Sequence, residues 1–512
     1  MKTLSLIWAA ACWIAAHASA RYASQSVQCC AALSSNPVLH DKVYYPNSTA
    51  YAQRIADYWS VNAALKPWCM ILPLTANETS QVVQVITRNQ CPFGIRSGGH
   101  AVFAGSSSTD EGVTIDLGPK DSSMARHTTR IPNLPPSARA ALGASVYEAL
   151  EPHGVAVTGG RSAQVGVGGF LLGGGNSLFA HSYGLACSNV VNFEVVLADG
   201  SIVNANAKEN SDLWLGLRGG SGNLGLATRF DMRTIEYADP SNPLIWGGGL
   251  FWPRNATDAV VDVLVRFTDR IPDDPASGSY CLFAWIPNYP FPENMAISCA
   301  LDNIRNEVAP AAYDGYFAID GAMISTLSSR TLLNRTIEGD ATDGLQNVWV
   351  TGSYSNDARV VHFALEKWQT VVQQIKDEIG ETDDEGISAT LQLHPLTKPI
   401  ATNGDGPNLL GLEKHVADGS AGIQTLLVLT AKKPENWPAL ERFGQQFQAE
   451  VDAYAIELGA NWGWKYSNYA DASENPFATY GEETVQKLRQ ASQKYDPRGV
   501  FQNLRNTGFK IP

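Results

Sequence analysis

Between Gly159 and Gly175 the chain reads Gly-Gly-Arg-Ser-Ala-Gln-Val-Gly-Val-Gly-Gly-Phe-Leu-Leu-Gly-Gly-Gly, eight glycines in seventeen residues. Glycine loses more backbone freedom on folding than any other residue, so a run this dense must be held by close contact. Two kinds of contact would do it: a large planar or phosphorylated ligand lying against the backbone, or a crowded junction between subdomains. The ligand is the expected answer, because packing alone rarely asks for so many glycines. A second loop strengthens it. Arg96-Ser97-Gly98-Gly99-His100 directly follows a strand-like run at Phe93–Arg96. Successive glycines let backbone N–H groups turn toward an anion, as a pyrophosphate requires. The loop is neither a GxGxxG fingerprint, which should open a helix, nor a P-loop, which needs a following Gly-Lys-Ser/Thr.

At 512 residues the chain is too long for one core, so two large domains or three smaller ones are expected. Its 44% apolar and 17% charged residues exclude a disordered chain and a coiled coil, and a net charge of -13 argues against nucleic acid. Residues 1–20 read as a secretory signal, with Lys2, an apolar run from Leu4 to Ala16, and Ala18-Ser19-Ala20 as the cleavage site. No later segment is apolar enough for a membrane anchor. Sequons at Asn47, Asn77, Asn255 and Asn334 agree with secretion, and glycosylation is expected at some of them. Beyond the signal lie Cys29, Cys30, Cys69, Cys91, Cys187, Cys281 and Cys299, an odd set that leaves at least one thiol over. Cys281 and Cys299 flank a turn and could pair. No cysteine–histidine spacing fits zinc, so no metal is expected.

Periodicity divides the rest. Thr75 with Glu78 makes a capping box ahead of a helix whose apolar face holds Val82, Val83 and Ile86. Ser145 with Glu148 makes a second, stopped by Gly154. Phe193–Leu197 and Ser201–Asn204 flank Asp199-Gly200 as a hairpin with a type I′ turn. Ser211 or Asp212 caps a short helix. After about residue 240, strands at Ser279–Ile286, Val348–Tyr354 and Gln424–Thr430 alternate with helices such as Phe363–Ile379. A polar helix at Glu482–Lys494, ended by Asp496-Pro497, closes the chain.

Taken in order, Arg96–His100, Val165-Gly-Val-Gly-Gly with Gly173–Gly175, Tyr183-Gly-Leu185, Leu217–Gly225, and the closing Lys465–Tyr469 and Lys494–Phe501 resemble the berberine-bridge-enzyme-like flavoproteins of the vanillyl-alcohol-oxidase superfamily. The likeness covers residues 65–240 and 460–512 and is nearest to secreted fungal members of secondary metabolism. It implies an α+β fold of two lobes: a PCMH-type FAD-binding domain of two α+β subdomains, and a substrate domain whose antiparallel sheet is covered by helices. The expected boundaries are 21–240 for the first, 241–455 for the second, and 456–512 returning to complete the first.

The resemblance also assigns residues. FAD is expected to be bound covalently through His100, among Arg96, Ser97, Gly98, Gly99, Ala101, Val165, Gly166, Gly168, Gly169, Gly174, Gly175, Asn189 and Asn468. Ser162 stands where many relatives carry a cysteine bonded to the flavin, so one covalent link is expected and an oligosaccharide substrate is disfavoured. Val165 resembles the oxygen-reactive members. The base is left open. Gln424–Leu429, in the substrate sheet, carries no acid, which leaves Tyr466, Tyr469 and, as a further candidate, His394. The implied function is an FAD-linked oxidase that takes a hydride from an alcohol, amine or activated C–H of a small, mostly apolar metabolite and passes electrons to O2, acting as a monomer. A flavin-pocket isomerase or cyclase, and a secreted binding protein with vestigial chemistry, stay open beside it.

Overall fold

The computed structural model describes residues 25, 27–118, 128–130, 143–381 and 386–512. The proposed signal at 1–20 lies outside them. Two four-stranded sheets and one of eight strands organise the chain. In the first, Cys69–Ile71, Val113–Asp116 and Phe93–Arg96 run parallel, with Val43–Tyr44 antiparallel at the edge. The parallel register is bridged by the helix Ala76–Asn89, and its strands are buried almost throughout, Arg96 and Asp116 included. The second sheet places Leu226–Met232 and Val190–Val196 between Thr128–Arg130 and Ile202–Asn206.

The eight-stranded sheet spans residues 244–431. Its main path runs Ile324–Ser325, Leu244–Pro253, Met295–Asn303, Ser277–Trp285, Ser388–Leu396, Gly422–Ala431, Gln346–Ser355, antiparallel throughout, with Ser328–Thr331 also on Leu244–Pro253. Strand side chains alternate between faces. One face, with Trp252, Trp285, Leu391, Leu427 and Val350, packs under the helices Thr257–Arg270, Ala358–Glu378 and Trp437–Glu457. The other face belongs to the site described below. The final residues return to the first sheet, where Asn506 N–H donates to Phe93 O at 3.1 Å. The fold is α+β and two-lobed.

Several local expectations are corrected. Thr75 caps its helix, accepting from Glu78 N–H at 3.1 Å, whereas the Glu78 carboxylate reaches Leu74 N–H. The helix expected to be capped by Ser145 already includes Gly143 and Ala144, so Ser145 lies within it and is not its cap. Its first N–H groups need no side-chain cap: Gly143 donates to Val165 O and Ala144 to Ala163 O, both at 3.0 Å. The hairpin after Val196 has a three-residue connection. Leu197 N–H bonds Ser201 O and only Gly200 takes positive φ, which is a type I turn with a glycine bulge rather than type I′. Neither Ser211 nor Asp212 caps the helix Ser211–Leu217, whose N-cap is Asn210.

Cys281 pairs with Cys299 as expected, and Cys29–Cys91 and Cys30–Cys69 are also bonded. Cys187 is the free thiol, and burial pushes its pKa up to about 11. All four sequon asparagines are exposed. Among the described residues no helix is long and apolar enough to cross a membrane, and no group of side chains could hold a metal ion.

Candidate functional site

The two glycine loops meet face to face. A Cβ at Gly166 would fall 2.5 Å from both Cα and N of Gly98, and Ser97 Oγ accepts from Gly168 N–H at 3.2 Å. Beneath them Arg96 is fully buried, its guanidinium 3.9 Å over the Tyr58 ring and against the face of Gly99 where a Cβ would stand. Arg54 grips Asp116 through Nε and Nη2 at 2.8 and 2.9 Å, and Arg96 shares that carboxylate at 3.7 Å. This brace fixes the strand end from which His100 projects.

Protein packing accounts for most of the glycine run, contrary to the expectation from sequence. Gly159 and Gly160 lie against Tyr147 and Val165, Gly173 and Gly174 against Asn468 and Tyr466, and Gly175 against Phe170. Gly169 is the exception, with open space where its side chain would be. The closing segment acts as a pillar here. Tyr466, 2% exposed, accepts N–H bonds from Gly175 and Asn176 through its hydroxyl, both at 2.8 Å. Asn468 donates to Phe170 O at 3.1 Å, and Ser467 to Gly173 O at 2.9 Å. Asn468 therefore shapes the cradle from behind. Asn189 does likewise, donating to Tyr183 O at 2.7 Å. Val165 borders an apolar slot with Gly143, Tyr147, Val157 and Phe170. An apolar slot beside two glycine loops, with Gly169 open, fits a long ligand that is planar at its ends and anionic between them.

Opposite stands the free face of the large sheet. Tyr280, Leu282, Gln392, Val428 and Trp349 present partly exposed side chains there. Asp302, on the same face, is spent on Arg335, which grips it through Nε and Nη2. The missing acid of the Gln424–Leu429 strand is thus not supplied by its neighbours.

The titratable groups gather around Arg161, which sequence reasoning passed over. Its Nη2 donates to Tyr469 Oη at 2.6 Å, its Nη1 lies 3.2 Å from His394 Nδ1, and the guanidinium sits 4.4 Å over the Tyr280 ring. The available sign was an arginine inside a glycine run with no acidic neighbour in sequence. Burial works against its charge, and the phenols of Tyr469, Tyr280 and Tyr466 more than offset this, holding its pKa above the ordinary value. Since a guanidinium only donates, His394 accepts at Nδ1 and carries its proton on Nε2. Burial, then the Arg161 charge, holds His394 well below the ordinary value, so it is neutral. His181 nearby is lowered to about 4 for the same two reasons.

The three base candidates therefore separate. Tyr466 is walled in and its hydroxyl is occupied by backbone donors; burial pushes it far above the ordinary phenol range. Tyr469 is half-buried at the crevice, beside a cation placed to stabilise negative charge on its oxygen. His394 sits behind Arg161. A line of rings joins this cluster to His100: His100 stacks on Trp59 at 4.5 Å, Trp59 meets Trp349 at 5.8 Å, and Trp349 meets Tyr469 at 5.7 Å. Ala101 follows His100 at the same crevice. Ser162 turns elsewhere, donating to Asp340 Oδ1 at 2.5 Å, an oxygen that also accepts from Gln164 N–H at 3.2 Å.

Residues 67–206 match the FAD binding domain family. The chain is 34% identical over 498 residues to the FAD-dependent monooxygenase sdcF of Emericella nidulans, covering 96% of this chain and 99% of that one. In fold it is similar to a berberine bridge enzyme variant, with TM-score 0.70 and 15% identity over 94% of this chain and 99% of the other. It is also similar to glucooligosaccharide oxidase from Acremonium strictum, described with 6-S-cysteinyl, 8α-N1-histidyl FAD, with TM-score 0.66 and 17% identity over 91% of this chain and 98% of that one. The chain belongs to the FAD-dependent oxidoreductases of the vanillyl-alcohol-oxidase superfamily.

Proposed function

We propose that this FAD-dependent oxidoreductase is a secreted enzyme that oxidises a small, mostly apolar metabolite in the crevice between the glycine cradle and the free sheet face, with Tyr469 as the proton acceptor. The observation that carries this reading is the Arg161–Tyr469 contact at 2.6 Å, on a crevice otherwise poor in acids. FAD, when bound, would supply the hydride acceptor, with dioxygen as the final electron acceptor. The cradle at Arg96–Gly99 and Gly166–Gly169 would hold its phosphates, the Val165 slot a planar end, and His100 a covalent link of the kind named for the Acremonium enzyme. Ser162 offers no thiol for a second link, and its hydroxyl is engaged by Asp340.

Tyr469 faces the crevice, so a substrate hydroxyl or amine can reach its oxygen. Arg161 cannot give up its own proton at neutral pH, so it acts by charge, favouring the phenolate form of Tyr469 that can accept the substrate proton. Tyr280, Leu282, Val428 and Trp349 give the substrate an apolar surface and exclude water from the transfer. Three disulfides and four exposed sequon asparagines support secretion.

Anaerobic mixing with candidate metabolites, followed by loss of flavin colour, tests the reaction. Bleaching that reverses on admitting air, with hydrogen peroxide formed, is the expected result. Turnover without bleaching would select the isomerase or cyclase reading. Acid-precipitated protein should stay yellow, with the flavin mass on the peptide that contains His100.

A further inference from the structure

Arg161 is a cation with no carboxylate partner and with N–H groups to spare beyond those turned to Tyr469 and His394. Its contacts are a phenol, an imidazole and an aromatic face, and no carboxylate pairs with it among the described residues. A charge withdrawn from water without a counter-ion is costly, so such a group is ordinarily retained for a ligand that completes it. Of its five N–H donors, the contacts named use two. His394 faces Arg161 through Nδ1, and its protonated Nε2 is buried, with the residue 1% exposed, and has no hydrogen-bond partner. An unmet donor in the interior also costs free energy until an acceptor arrives.

Arg161 opens on one small chamber, which His394, His181, Tyr280 and Asn176 also help to line. The one carboxylate on its wall, Asp302, is already neutralised by Arg335. The chamber therefore offers donors and positive charge, with no free acid to compete for them.

We propose that this chamber is a substrate subsite for an anionic oxygen group, a carboxylate or the ionised hydroxyl of an acidic phenol or enol, received by the unused N–H groups of Arg161, which His394 Nδ1 holds in place. The proposal rests on the reading that substrate enters between cradle and sheet, and it narrows the substrate class to metabolites with an apolar body and one acidic end. The anion anchors that end, and the remainder extends along the sheet toward Tyr469.

The test uses the flavin-loaded protein and three probes: benzoate, pentafluorophenol, which is ionised at neutral pH, and benzamide as the uncharged counterpart of benzoate. Binding is read from the visible flavin spectrum and from thermal stabilisation, without turnover. At least one anion should bind about tenfold or more tighter than benzamide, as expected of hydrogen bonds to a charged group. Benzoate alone would assign a carboxylate, and pentafluorophenol alone an ionised hydroxyl. Arg161→Met should remove the preference, Arg161→Lys should keep part of it, and His394→Gln should weaken it severalfold. Tyr469→Phe should bind the anions nearly as well as wild type while losing flavin reduction, so the subsite and the proton acceptor fail separately. Equal binding of benzamide and both anions overturns the proposal, and this arm needs no variant. So does an Arg161→Met protein that changes the flavin spectrum but leaves anion binding intact, since the guanidinium would then serve the cofactor.

Discussion

In the glycine cradle, contact is made by main chain. Gly98 meets Gly166 at a separation that excludes a Cβ, Gly168 N–H bonds Ser97, and Tyr466 takes two backbone N–H groups at once. Across the crevice, contact is made by side chains from strands far apart in sequence: Tyr280, Trp349, Gln392, Val428. Main-chain contact tolerates no substitution and leaves a pattern of glycines, whereas a side-chain surface can change at one position without disturbing its neighbours. The glycine side is accordingly rigid, and the sheet side is open to variation.

The difference can be broken hardest at Gly166. Gly166→Ala places a methyl group 2.5 Å from the backbone of Gly98, which has no side chain to move away. Flavin content and soluble yield should both collapse, whereas Val428→Ala on the sheet should keep both and alter only substrate preference. Flavin absorbance per protein measures it.

The two tyrosines sharpen the contrast. Tyr469→Phe should slow flavin reduction by about 10²–10⁴-fold with flavin content unchanged, as loss of a general base does. Tyr466→Phe should do the reverse, leaving the N–H groups of Gly175 and Asn176 unmet at a cost of about 1–3 kcal/mol each when buried, while chemistry persists in the protein that folds. Stopped-flow reduction and thermal melts on both variants decide it. Wild-type reduction rates in Tyr469→Phe would move attention to His394.

A smaller effect is set by pH. His181 titrates at about 4 in the fold against an ordinary 6.5. Between those values the unfolded chain takes up a proton that the folded chain refuses, so stability is complete above pH 6.5 and declines as pH falls toward 4. The loss reaches about 3 kcal/mol at most. Melting temperature against pH should fall less steeply over this window in His181→Asn, with His394, which is also held below its ordinary value, supplying the slope that remains.

The smallest effect concerns the second anchor. Ser162→Cys restores a thiol, yet the side chain lies beside the Asp340 carboxylate, which disfavours a thiolate. Mass spectrometry should find one flavin link in Ser162→Cys and a fraction with two in Ser162→Cys combined with Asp340→Asn. A second link in the single variant would show that Asp340 does not control this side chain.

What could be read in advance follows the same division. Loop motifs, the Cys281–Cys299 pair and the long helices were legible because each is specified within a short stretch. Arg161 was quoted within its motif without being seen as chemistry, since its partners lie at His394 and Tyr469, hundreds of residues on. The expected cap at Ser145 failed for a related reason: carbonyls of Ala163 and Val165 took over a task that local sequence assigns to a side chain. The glycine run was given to a ligand because its crowding by Asn468 and Tyr466 arises only on closure of the whole chain.

That closure has a consequence for biosynthesis. Ser467 and Asn468 hold the loop at Phe170–Gly173 in shape, and Tyr466 holds Gly175 and Asn176. A nascent chain therefore carries every glycine of the cradle long before it can set them. The cradle cannot be set until the segment that carries Tyr466, Ser467 and Asn468 has been made. A molecule that retains flavin is then one whose closing segment has docked, so flavin content reports on that docking.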